Sequence, residues 1–416
     1  MSVVTEEIHD VSPDDSASTL WKDYVAKIRG GDVGSLPAIL GLLVLVVAFS
    51  ILRPTTFTSA FNFENLIQQS AGVTIIAMGL VFVLLLGEID LAAGYTAGVA
   101  AAVTSVLLTN QGWQTGLAIV AGLLTGTAIG AFHGVIVSRL GIPSFVVTLS
   151  TFLALQGVLL TLIGERGSIS SGEFIRTLNS DTLPVWLGWV IAGVLVAVYA
   201  VVTFVSNRRR RAKRLTSEPD LLWALKTGSL AVVAFLVVLY LSIERSPNPQ
   251  IRSITGVPIA LVIIIGLALV LSVLLGRTRW GSHVYAVGGS REAARRAGIN
   301  VKLVQLSCFM ICSTVAAMGG LMLASFSGGV NNVSGGGPTL LYAVGAAVIG
   351  GTSLFGGKGR IVDAVIGGTV VAVIANGMGL MNQPASRQYI VTGLVLLVAA
   401  SVDAISRRRA TASGRI

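Results

Sequence analysis

Few side chains in this sequence have the types and spacing that catalysis or metal binding requires. The three histidines, His9, His133 and His283, are far apart, and none has an acidic partner at a catalytic spacing. Cys308 and Cys312 lie one helical turn apart in an apolar segment, which indicates buried thiols without a disulfide or a metal ion. We therefore predict a chain that is not an enzyme, with no catalytic residues, no metal site and no cofactor of its own.

A glycine-rich run at 350–359 resembles a phosphate-binding loop at first sight. The G-x-x-x-x-G-K-[ST] pattern fails here, because Thr352 occupies the first glycine position and Gly359 follows the lysine. The run is flanked on both sides by apolar segments, whereas a nucleotide-binding loop would follow a strand. We predict a hinge between two helices, which includes Thr352, Gly356 and Gly357.

Two carboxylates, Glu88 and Asp90, stand between two apolar segments. A carboxylate in the middle of a bilayer costs about 2.5–3.5 kcal/mol on the insertion scale, so such residues need partners or water. Two interpretations stay open. Either they are interfacial residues that end a helix, or they belong, with Gly94, to a helix break that shapes a pathway.

The longest polar stretch between apolar segments, residues 277–305, contains features of a short helix. Ser290 is a suitable N-cap, Glu292 suits the positive first turn, and Gly298 suits the position after the C-cap. We interpret this stretch as a docking element for a cytoplasmic protein, and the alternative is a solvated helix without a partner. The predicted element comprises Ser290, Arg291, Glu292, Ala293, Ala294, Arg295, Arg296 and Gly298.

Composition identifies the solvent of the elements that hold these motifs. Of the 416 residues, 53% are hydrophobic and 12% are charged, and mean hydropathy is +0.83. Soluble proteins carry roughly 25% charged residues. The composition therefore predicts an integral membrane protein, and the net charge of +10 fits membrane topology better than nucleic-acid binding.

Hydropathy predicts an all-α polytopic membrane protein with about twelve transmembrane helices. A helix that crosses the hydrocarbon layer needs about 20 apolar residues. The tenth candidate is short, which allows a broken or re-entrant helix. The candidates are 37–52, 66–87, 91–108, 115–138, 142–163, 184–206, 225–243, 256–276, 306–327, 338–351, 361–380 and 388–404.

Basic residues agree with an even number of crossings. With twelve crossings, the basic stretches 208–214, 277–302, 358–360 and 407–409 all fall on one side, which the positive-inside rule assigns to the cytoplasm. We predict a multi-pass protein of the cytoplasmic membrane with both termini inside. Its parts are a cytoplasmic tail (1–36), a permease domain (37–404) with a cytoplasmic coupling loop (277–305), and a second cytoplasmic tail (405–416).

Glycines at four-residue spacing mark helix faces that pack closely. Gly122, Gly126, Gly130 and Gly134 share one face, and Gly94 and Gly98 share another. We interpret these as packing faces and not as ligand sites. Whether they pack within the chain or against a second copy stays open at this point.

The predicted segments have no Asp, Glu or Lys near their centres. Proton- and sodium-driven carriers often place ionisable groups there, so this pattern argues against a secondary transporter that works alone. A secondary transporter remains the main competing hypothesis, because backbone carbonyls alone can hold sodium. A channel and a membrane enzyme are weaker alternatives.

Several further motifs are distributed along the chain: Glu88-Ile89-Asp90-Leu91, Pro143–Leu149, the stretch Tyr285–Ile299 with Asn300-Val301, the run at 350–357, and Asn376-Gly377-Met378 with Gln388–Val391. Together they resemble the permease subunits of bacterial sugar ABC importers of the ribose/xylose class. The resemblance covers nearly all of 57–403, and the pair of helices across 184–243 resembles the longer xylose-type members.

The resemblance implies a transporter in which this chain forms the membrane path. Its partners would be cytoplasmic ATPase subunits that use ATP, an extracytoplasmic sugar-binding protein and a second permease copy. The solute would be a monosaccharide such as the pentose xylose, with a non-sugar solute as an alternative. Movement of the ATPases would reach the membrane helices through Ser290–Gly298.

A neutral sugar is bound by hydroxyl, amide and aromatic groups. For each candidate, hydrogen bonding or packing between helices is the alternative role. The candidate pathway residues are Gln68, Gln69, Ser144, Phe145, Thr148, Phe152 and Asn376.

Overall fold

The computed structural model describes residues 34–213 and 219–412, and most of these residues are helical. Most of the predicted tail 1–36 and the end of the tail 405–416 lie outside this range. The helices are α1 (Leu36–Leu52), α2 (Pro54–Phe57), α3 (Ala60–Leu85), α4 (Ala93–Thr109), α5 (Thr115–Val135), α6 (Ser144–Ile163), α7 (Glu173–Ser180), α8 (Val185–Ala212), α9 (Asp220–Ser242), α10 (Ile259–Arg277), α11 (Arg279–Gly289), α12 (Arg291–Arg296), α13 (Val301–Ser327), α14 (Gly337–Gly350), α15 (Ile361–Leu380) and α16 (Ala385–Ala412).

All twelve predicted apolar segments are helices. By length and composition, eight can cross a membrane: α3, α5 with its π-helical continuation Ile136–Leu140, α6, α8, α9, α10, α13 and α15. α1, α4, α14 and the first part of α16 are shorter apolar helices. The chain is therefore a polytopic helical membrane protein, as the sequence predicts, while the number of crossings remains a prediction.

The contacts divide the described chain into two units. The larger comprises Gly34–Gly188 and Val238–Asp403, and the smaller includes Trp189–Val237. This division separates most of the helix pair α8 and α9 from the other helices, within the single permease domain that the sequence predicts. The predicted domain boundaries themselves stay untested.

α3 and α13 form the centre of the larger unit, because small residues bring their backbones together. A Cβ on Gly79 would stand 2.8 Å from the carbonyl oxygen of Cys312, and one on Gly319 would stand 2.8 Å from that of Gly72. Close approach through small residues stabilises helix pairs in lipid, where van der Waals packing replaces the hydrophobic effect. Cys308 and Cys312 are buried free thiols in this interface, as predicted.

The glycine face of α5 packs on α13 of the same chain. A Cβ on Gly126 would stand 2.7 Å from the carbonyl oxygen of Ser313, and one on Gly130 would stand 2.4 Å from that of Phe309. His133 is fully buried in this face, with its ring against Phe309. The interpretation as a packing face is confirmed, and the partner is another helix of the chain.

Two ends of the larger unit can be distinguished by their contacts. At the Glu88 end, the end of α3 contacts the α14–α15 loop, and Gly357 N donates to Leu85 O at 2.9 Å. At the Glu64 end, the start of α3 contacts the second half of α15, where Asn62 and Asn376 exchange hydrogen bonds of 2.9 and 3.0 Å. α3 therefore runs from the Glu64 end to the Glu88 end, and α15 runs in the opposite direction.

Two of the shorter apolar helices, α4 and α14, each follow a non-helical segment. At about 1.5 Å per residue, α4 and α14 are roughly 25 and 21 Å long, against roughly 30 Å of hydrocarbon. Residues 86–92 form a non-helical stretch before α4, and 328–336 form a strand and turn before α14. The two helices therefore reach the ends of the bundle through non-helical segments.

These two non-helical segments lie inside the larger unit. Asp90 is fully buried beside Cys312, about halfway along α13. A Cβ on Gly94 would stand 2.4 Å from the carbonyl oxygen of Gly335, and one on Gly98 would stand 2.2 Å from that of Ser334. The turn before α14 therefore rests on the first turns of α4, where glycine alone leaves room for it.

A small sheet joins two connections at the Glu64 end. Strand β1 (Ser168–Ser170) pairs antiparallel with β2 (Gly329–Asn331), and Ile169 lies opposite Val330. Both of these side chains are buried. Next to the sheet, Ser325 Oγ accepts a hydrogen bond from Asn179 N and so attaches α7 to the end of α13.

The smaller unit is a helical hairpin with its own side-chain contacts. Trp189 and Phe235 have ring centroids 5.2 Å apart, and Phe204 and Trp223 have centroids 5.3 Å apart. Both helices expose many large apolar side chains, including Val201 and Val232. Such a surface is stable in lipid and would aggregate in water.

Candidate functional site

The predicted docking element forms the short helix α12, with the caps that the sequence predicts. Ser290 Oγ accepts from Ala293 N at 3.2 Å, and Gly298 has a φ of +82°. Within the helix, Glu292 pairs with Arg295 at 2.8 Å and with Arg296 at 3.1 Å. Ala294 is buried beneath the helix, while Ala293 is exposed. The exposed face is thus a compact set of charges that a partner can contact.

Arg291 connects α12 to the end of α3. Its guanidinium donates to Glu88 Oε1 at 2.6 Å and to Leu86 O at 3.1 Å. Glu88 is buried and also accepts from Gln305 Nε2 at 3.1 Å. The carboxylate therefore has partners on both α12 and α13, which a buried charge requires.

The glycine-rich run at 350–359 joins the same cluster. Gly357 N donates to Leu85 O at 2.9 Å, and Tyr285 Oη donates to Gly359 O at 2.8 Å. Burial and the nearby Asp363 carboxylate raise the pKa of Tyr285, so its hydroxyl stays protonated and available as a donor. A Cβ on Gly288 would stand 2.0 Å from Leu85 O, which explains the glycine at that position.

Several amides of this run are already bonded within the chain, which makes them unavailable to a phosphate. Thr352 N donates to Ala347 O, Ser353 N to Lys358 O, and Gly356 N to Ser353 O. The run also lies between α14 and α15, with no strand before it. Thr352 is buried, and its hydroxyl has no hydrogen-bond partner among the described residues. The hinge role of Thr352, Gly356 and Gly357 stays a prediction.

Two side chains from the first turns of α6 form hydrogen bonds with the backbone of the stretch between Glu88 and Asp90. Ser144 Oγ accepts from Ile89 N at 3.1 Å, and Thr148 Oγ1 donates to Ile89 O at 3.2 Å. Asp90 Oδ1 accepts from Ala92 N at 2.9 Å, and Cys312 Sγ is 3.6 Å from Asp90 Oδ2. Both carboxylates are buried in the non-helical stretch between α3 and α4, and whether this break shapes a pathway stays a prediction.

The predicted segments have no acid near their centres, but Asp90 lies in the non-helical stretch between two of them. This stretch places Asp90 beside the middle of α13. Both nitrogens of His133 lack a hydrogen-bond partner among the described residues.

A second buried ion pair lies at the Glu64 end, and the sequence did not predict it. Arg245 Nη2 stands 3.0 Å from Glu64 Oε2, and the two side chains are 0% and 2% exposed. Arg245 also donates to the carbonyl oxygens of Gly256, at 2.7 Å, and Leu241. Gln68 Nε2 donates to Glu64 Oε1 at 3.1 Å. Glu64 is a charged residue just before the predicted apolar segment 66–87, and this was the available signal. The sequence does not indicate which arginine pairs with Glu64.

The candidate pathway residues do not meet in a single cavity. Ser144 and Thr148 contact the break at Ile89, while Gln68 and Asn376 lie in the polar contacts of the Glu64 end. Gln69 has a buried side-chain oxygen without a hydrogen-bond partner among the described residues. The aromatic ring of Phe152 packs edge-on against Tyr95, whereas Phe145 is 53% exposed.

A cavity of about 190 Å³ lies elsewhere, beside the turn before α14. Its lining includes Gly98 and Gly320 together with the polar residues Asn331, Ser334 and Thr339. None of the seven candidate pathway residues lines it. Among the described residues, no group of three His, Cys, Asp or Glu side chains is arranged to hold a metal ion.

A bundle of long apolar helices, with broken helices inside it and a polar helix attached to one break, defines a polytopic membrane transport protein. The family model for the permease component of the branched-chain amino acid transport system matches residues 62–400. The chain belongs to this permease family. It is therefore a permease component and not a catalytic subunit, and ATP is used by a separate ATPase.

Curated relatives extend over nearly the whole chain. The xylose transport system permease protein XylH of Escherichia coli (strain K12) is 32% identical over 371 residues, which cover 89% of this chain and 92% of the relative. The ribose import permease protein RbsC of the same strain is 30% identical over 88% of this chain and 92% of the relative. The D-allose transport system permease protein AlsC is 27% identical over 87% and 89%. No solved structure matches this chain significantly.

Proposed function

We propose that this chain is the transmembrane subunit of an ATP-binding-cassette importer that moves a monosaccharide, a pentose such as xylose, across the cytoplasmic membrane. The relatives named for xylose, ribose and allose transport support a sugar as the solute. Two copies of the chain would form the path, with ATPases on the cytoplasmic side and a sugar-binding protein on the other.

One observation carries the proposal. α12 presents an exposed charged face, and Arg291 on this helix is hydrogen-bonded to Glu88 and Leu86 at the break between α3 and α4. A partner that moves α12 would therefore move the α3–α4 break directly. Such an attachment gives a permease without nucleotide chemistry a route to ATP-driven movement, because two arrangements of one contact set can be biased from outside.

The seven candidate residues are proposed to act at two positions along the path. Ser144 and Thr148, beside Phe145 and Phe152, would hold the α3–α4 break in the arrangement that admits the solute. Gln68, Gln69 and Asn376 would provide amide groups nearer the Glu64 end. Amides and hydroxyls suit a neutral polyol, because they exchange hydrogen bonds with sugar hydroxyls without a charge to neutralise.

A docking experiment tests the role of α12. The chain is co-expressed with the candidate ATPase subunit of the importer, and co-purification is measured for wild type, Glu292→Gln and Arg295→Gln. We expect both variants to retain less than about a tenth of the ATPase, because interface charge pairs contribute several kcal/mol when they become buried. Arg252→Gln breaks a comparable exposed pair, to Asp181 at 2.9 Å, and serves as the matched control.

Uptake experiments separate this function from its alternatives. Liposomes with the chain, ATPase and binding protein should take up sugar when ATP is enclosed, and liposomes with the chain alone should not. ATP-independent uptake by the chain alone would establish a secondary transporter. Binding of pentoses, hexoses and leucine to the purified binding protein identifies the solute, and leucine as the tightest ligand would contradict the sugar assignment.

A further inference from the structure

We propose that the cytoplasmic end of the helical hairpin α8–α9 is a binding site for the headgroup of an anionic phospholipid. The site consists of Arg208, which lies over the Phe204 ring beside Trp223, and of the adjacent Arg209 and Arg210. It is independent of solute transport and lies entirely within the smaller unit.

Helix length places these arginines at the depth of lipid phosphates. The apolar part of α8, residues 185–206, has 22 residues and spans about 33 Å at 1.5 Å per residue, which matches a hydrocarbon layer of roughly 30 Å. The guanidinium groups belong to the next turn of the same helix. The first half of α8 and the second half of α9 expose apolar side chains such as Val194 and Phe235, and such side chains are suited to contact with lipid.

The charge at this end is strongly positive. Within the described residues, Arg208, Arg209, Arg210, Arg211 and Lys213 oppose the single carboxylate of Asp220. Asp220 is occupied by Arg211, through contacts of 2.6 and 2.8 Å. The other three arginines are exposed and available to phosphate oxygens. Each basic residue near an anionic bilayer surface contributes about 1 kcal/mol of attraction.

Aromatic contacts give the site a defined shape. The Arg208 guanidinium lies 5.0 Å from the centre of the Phe204 ring, and this ring lies 5.3 Å from that of Trp223. Trp223 Nε1 donates to Thr203 Oγ1 at 2.9 Å and so fixes the indole between the helices. Aromatic rings at the membrane interface anchor a helix at headgroup depth. The rings therefore form a floor for the glycerol region, and the Arg208 guanidinium lies beside them to receive the phosphate.

The partner is a lipid and not a soluble anion or a protein, because the site adjoins a lipid-covered helix surface. Phosphatidylglycerol is the probe: it is added to the full-length chain in a neutral detergent, and bound lipid is counted by native mass spectrometry. Phosphatidylcholine and inorganic phosphate are the comparison ligands. We expect phosphatidylglycerol to bind about tenfold more tightly than phosphatidylcholine. This difference in affinity should decrease at high salt.

Variants locate the binding. The triple variant R208Q/R209Q/R210Q should lose about tenfold in affinity for phosphatidylglycerol, whereas R208K/R209K/R210K should lose less than about threefold because it keeps the charge. R53Q/R252Q/R387Q removes three arginines from other parts of the chain, and it should bind as wild type. Elution volume and thermal unfolding in neutral detergent confirm that each variant is folded.

Several outcomes would overturn the proposal. Equal loss in the two triple glutamine variants would indicate a bulk charge effect and no site. If inorganic phosphate competes with phosphatidylglycerol and binds as tightly, the site is a soluble-anion site. Retention of lipid binding in R208Q/R209Q/R210Q, together with loss of ATPase co-purification, would assign the arginines to protein docking.

Discussion

Glu88 and Glu64 are buried carboxylates near the two ends of α3, and each is held by an arginine that is distant in the sequence. Glu88 is paired with the half-exposed Arg291, whereas Glu64 is paired with the fully buried Arg245. The Glu88–Arg291 pair joins the bundle to the exposed helix α12. The Glu64–Arg245 pair attaches the α9–α10 loop to the start of α3. This difference in exposure predicts different consequences when each arginine is removed.

Removal of the Arg291 charge should uncouple transport from ATPase binding. Arg291→Gln leaves Glu88 with Gln305 as its remaining side-chain partner, so movement of α12 would no longer displace the break before α4. We expect sugar uptake by the complete transporter to fall about tenfold or more, since a charged hydrogen bond contributes roughly 1.5–3 kcal/mol. ATPase co-purification should stay within about twofold of wild type.

Arg291→Lys is the matched variant and should retain part of the uptake, because the ammonium group keeps the charge but loses the second hydrogen bond to Leu86 O. Equal loss of uptake and of ATPase binding in Arg291→Gln would assign Arg291 to docking. Unchanged uptake would show that the Glu88 contact transmits no movement.

Removal of Arg245 should destabilise the protein. Arg245→Met leaves the Glu64 carboxylate buried with Gln68 as its remaining side-chain partner, and breaking a buried ion pair costs about 3–5 kcal/mol. The measurement is thermal unfolding in detergent, followed by circular dichroism. The double variant E64L/R245M should recover much of the loss, because replacing both charges removes the unpaired carboxylate.

Arg252→Met is the control, since its pair with Asp181 is 54% and 44% exposed and contributes little. A melting temperature for Arg245→Met that equals that of the control would show that Glu64 is neutral or hydrated in the folded protein.

At the scale of elements, helix packing depends on glycines at defined contacts and not on glycine content. The four glycines on one face of α5 contact α4 and α13, whereas Gly157 on α6 has no atoms within 4 Å of its Cβ position. Identical substitutions on the two helices therefore meet different surroundings.

Gly130→Val should destabilise the bundle, because its Cβ would stand 2.4 Å from the carbonyl oxygen of Phe309. Overpacking of this kind costs about 1–3 kcal/mol or more. Gly157→Val should have less than about 0.5 kcal/mol of effect on packing, and the two variants have the same change in helix propensity. Thermal unfolding compares them, and equal melting temperatures would contradict the assigned α5–α13 contact.

The loop between α9 and α10 should be stable to acid because Glu244 organises it. Hydrogen bonds from Ser253 Oγ and from the amides of Ile254 and Ser246 lower the pKa of Glu244 from 4.5 to about 2. A lowered folded-state pKa stabilises the loop above the unfolded pKa, and this contribution is lost as pH falls through the folded value. At pH 4, we expect slow hydrogen exchange of Ile254 N in wild type and faster exchange in Glu244→Gln. Equal protection of Ile254 N in wild type and in Glu244→Gln at pH 4 would exclude this role.

At the scale of the whole molecule, thiol labelling of introduced cysteines can test the orientation of the bundle, because the chain's own cysteines should not react. Cys308 and Cys312 are free and buried, so a membrane-impermeant thiol reagent should not reach them. Ala297→Cys, at the end of α12, and Asn248→Cys, in the α9–α10 loop, are both at exposed positions. In intact cells, we expect labelling of Asn248→Cys and none of Ala297→Cys.

Permeabilised cells should allow labelling of both variants, which controls for expression and folding. Labelling of Ala297→Cys in intact cells would place α12 outside the cell. In that arrangement no cytoplasmic ATPase could contact it, and the proposed transport mechanism would be wrong.

Much of this architecture follows from the amino-acid sequence because burial in lipid acts on each segment separately. The apolar segments, the caps of α12 at Ser290 and Gly298 and the glycine face of α5 depend on neighbouring residues in the chain, so periodicity and spacing predict them. The motifs around Glu88, Tyr285 and Gly357 also identified the permease family before any contact was known.

Tertiary structure alone decided which distant residues meet. Glu64 and Arg245 are 181 positions apart, and Glu88 and Arg291 are 203 apart, so local sequence contains no information on either pairing. The same holds for Asp90, which reaches the middle of α13 because a non-helical segment turns back into the bundle. Buried charges must find partners wherever the fold brings opposite charge, and this requirement is satisfied by three-dimensional packing and not by spacing along the chain.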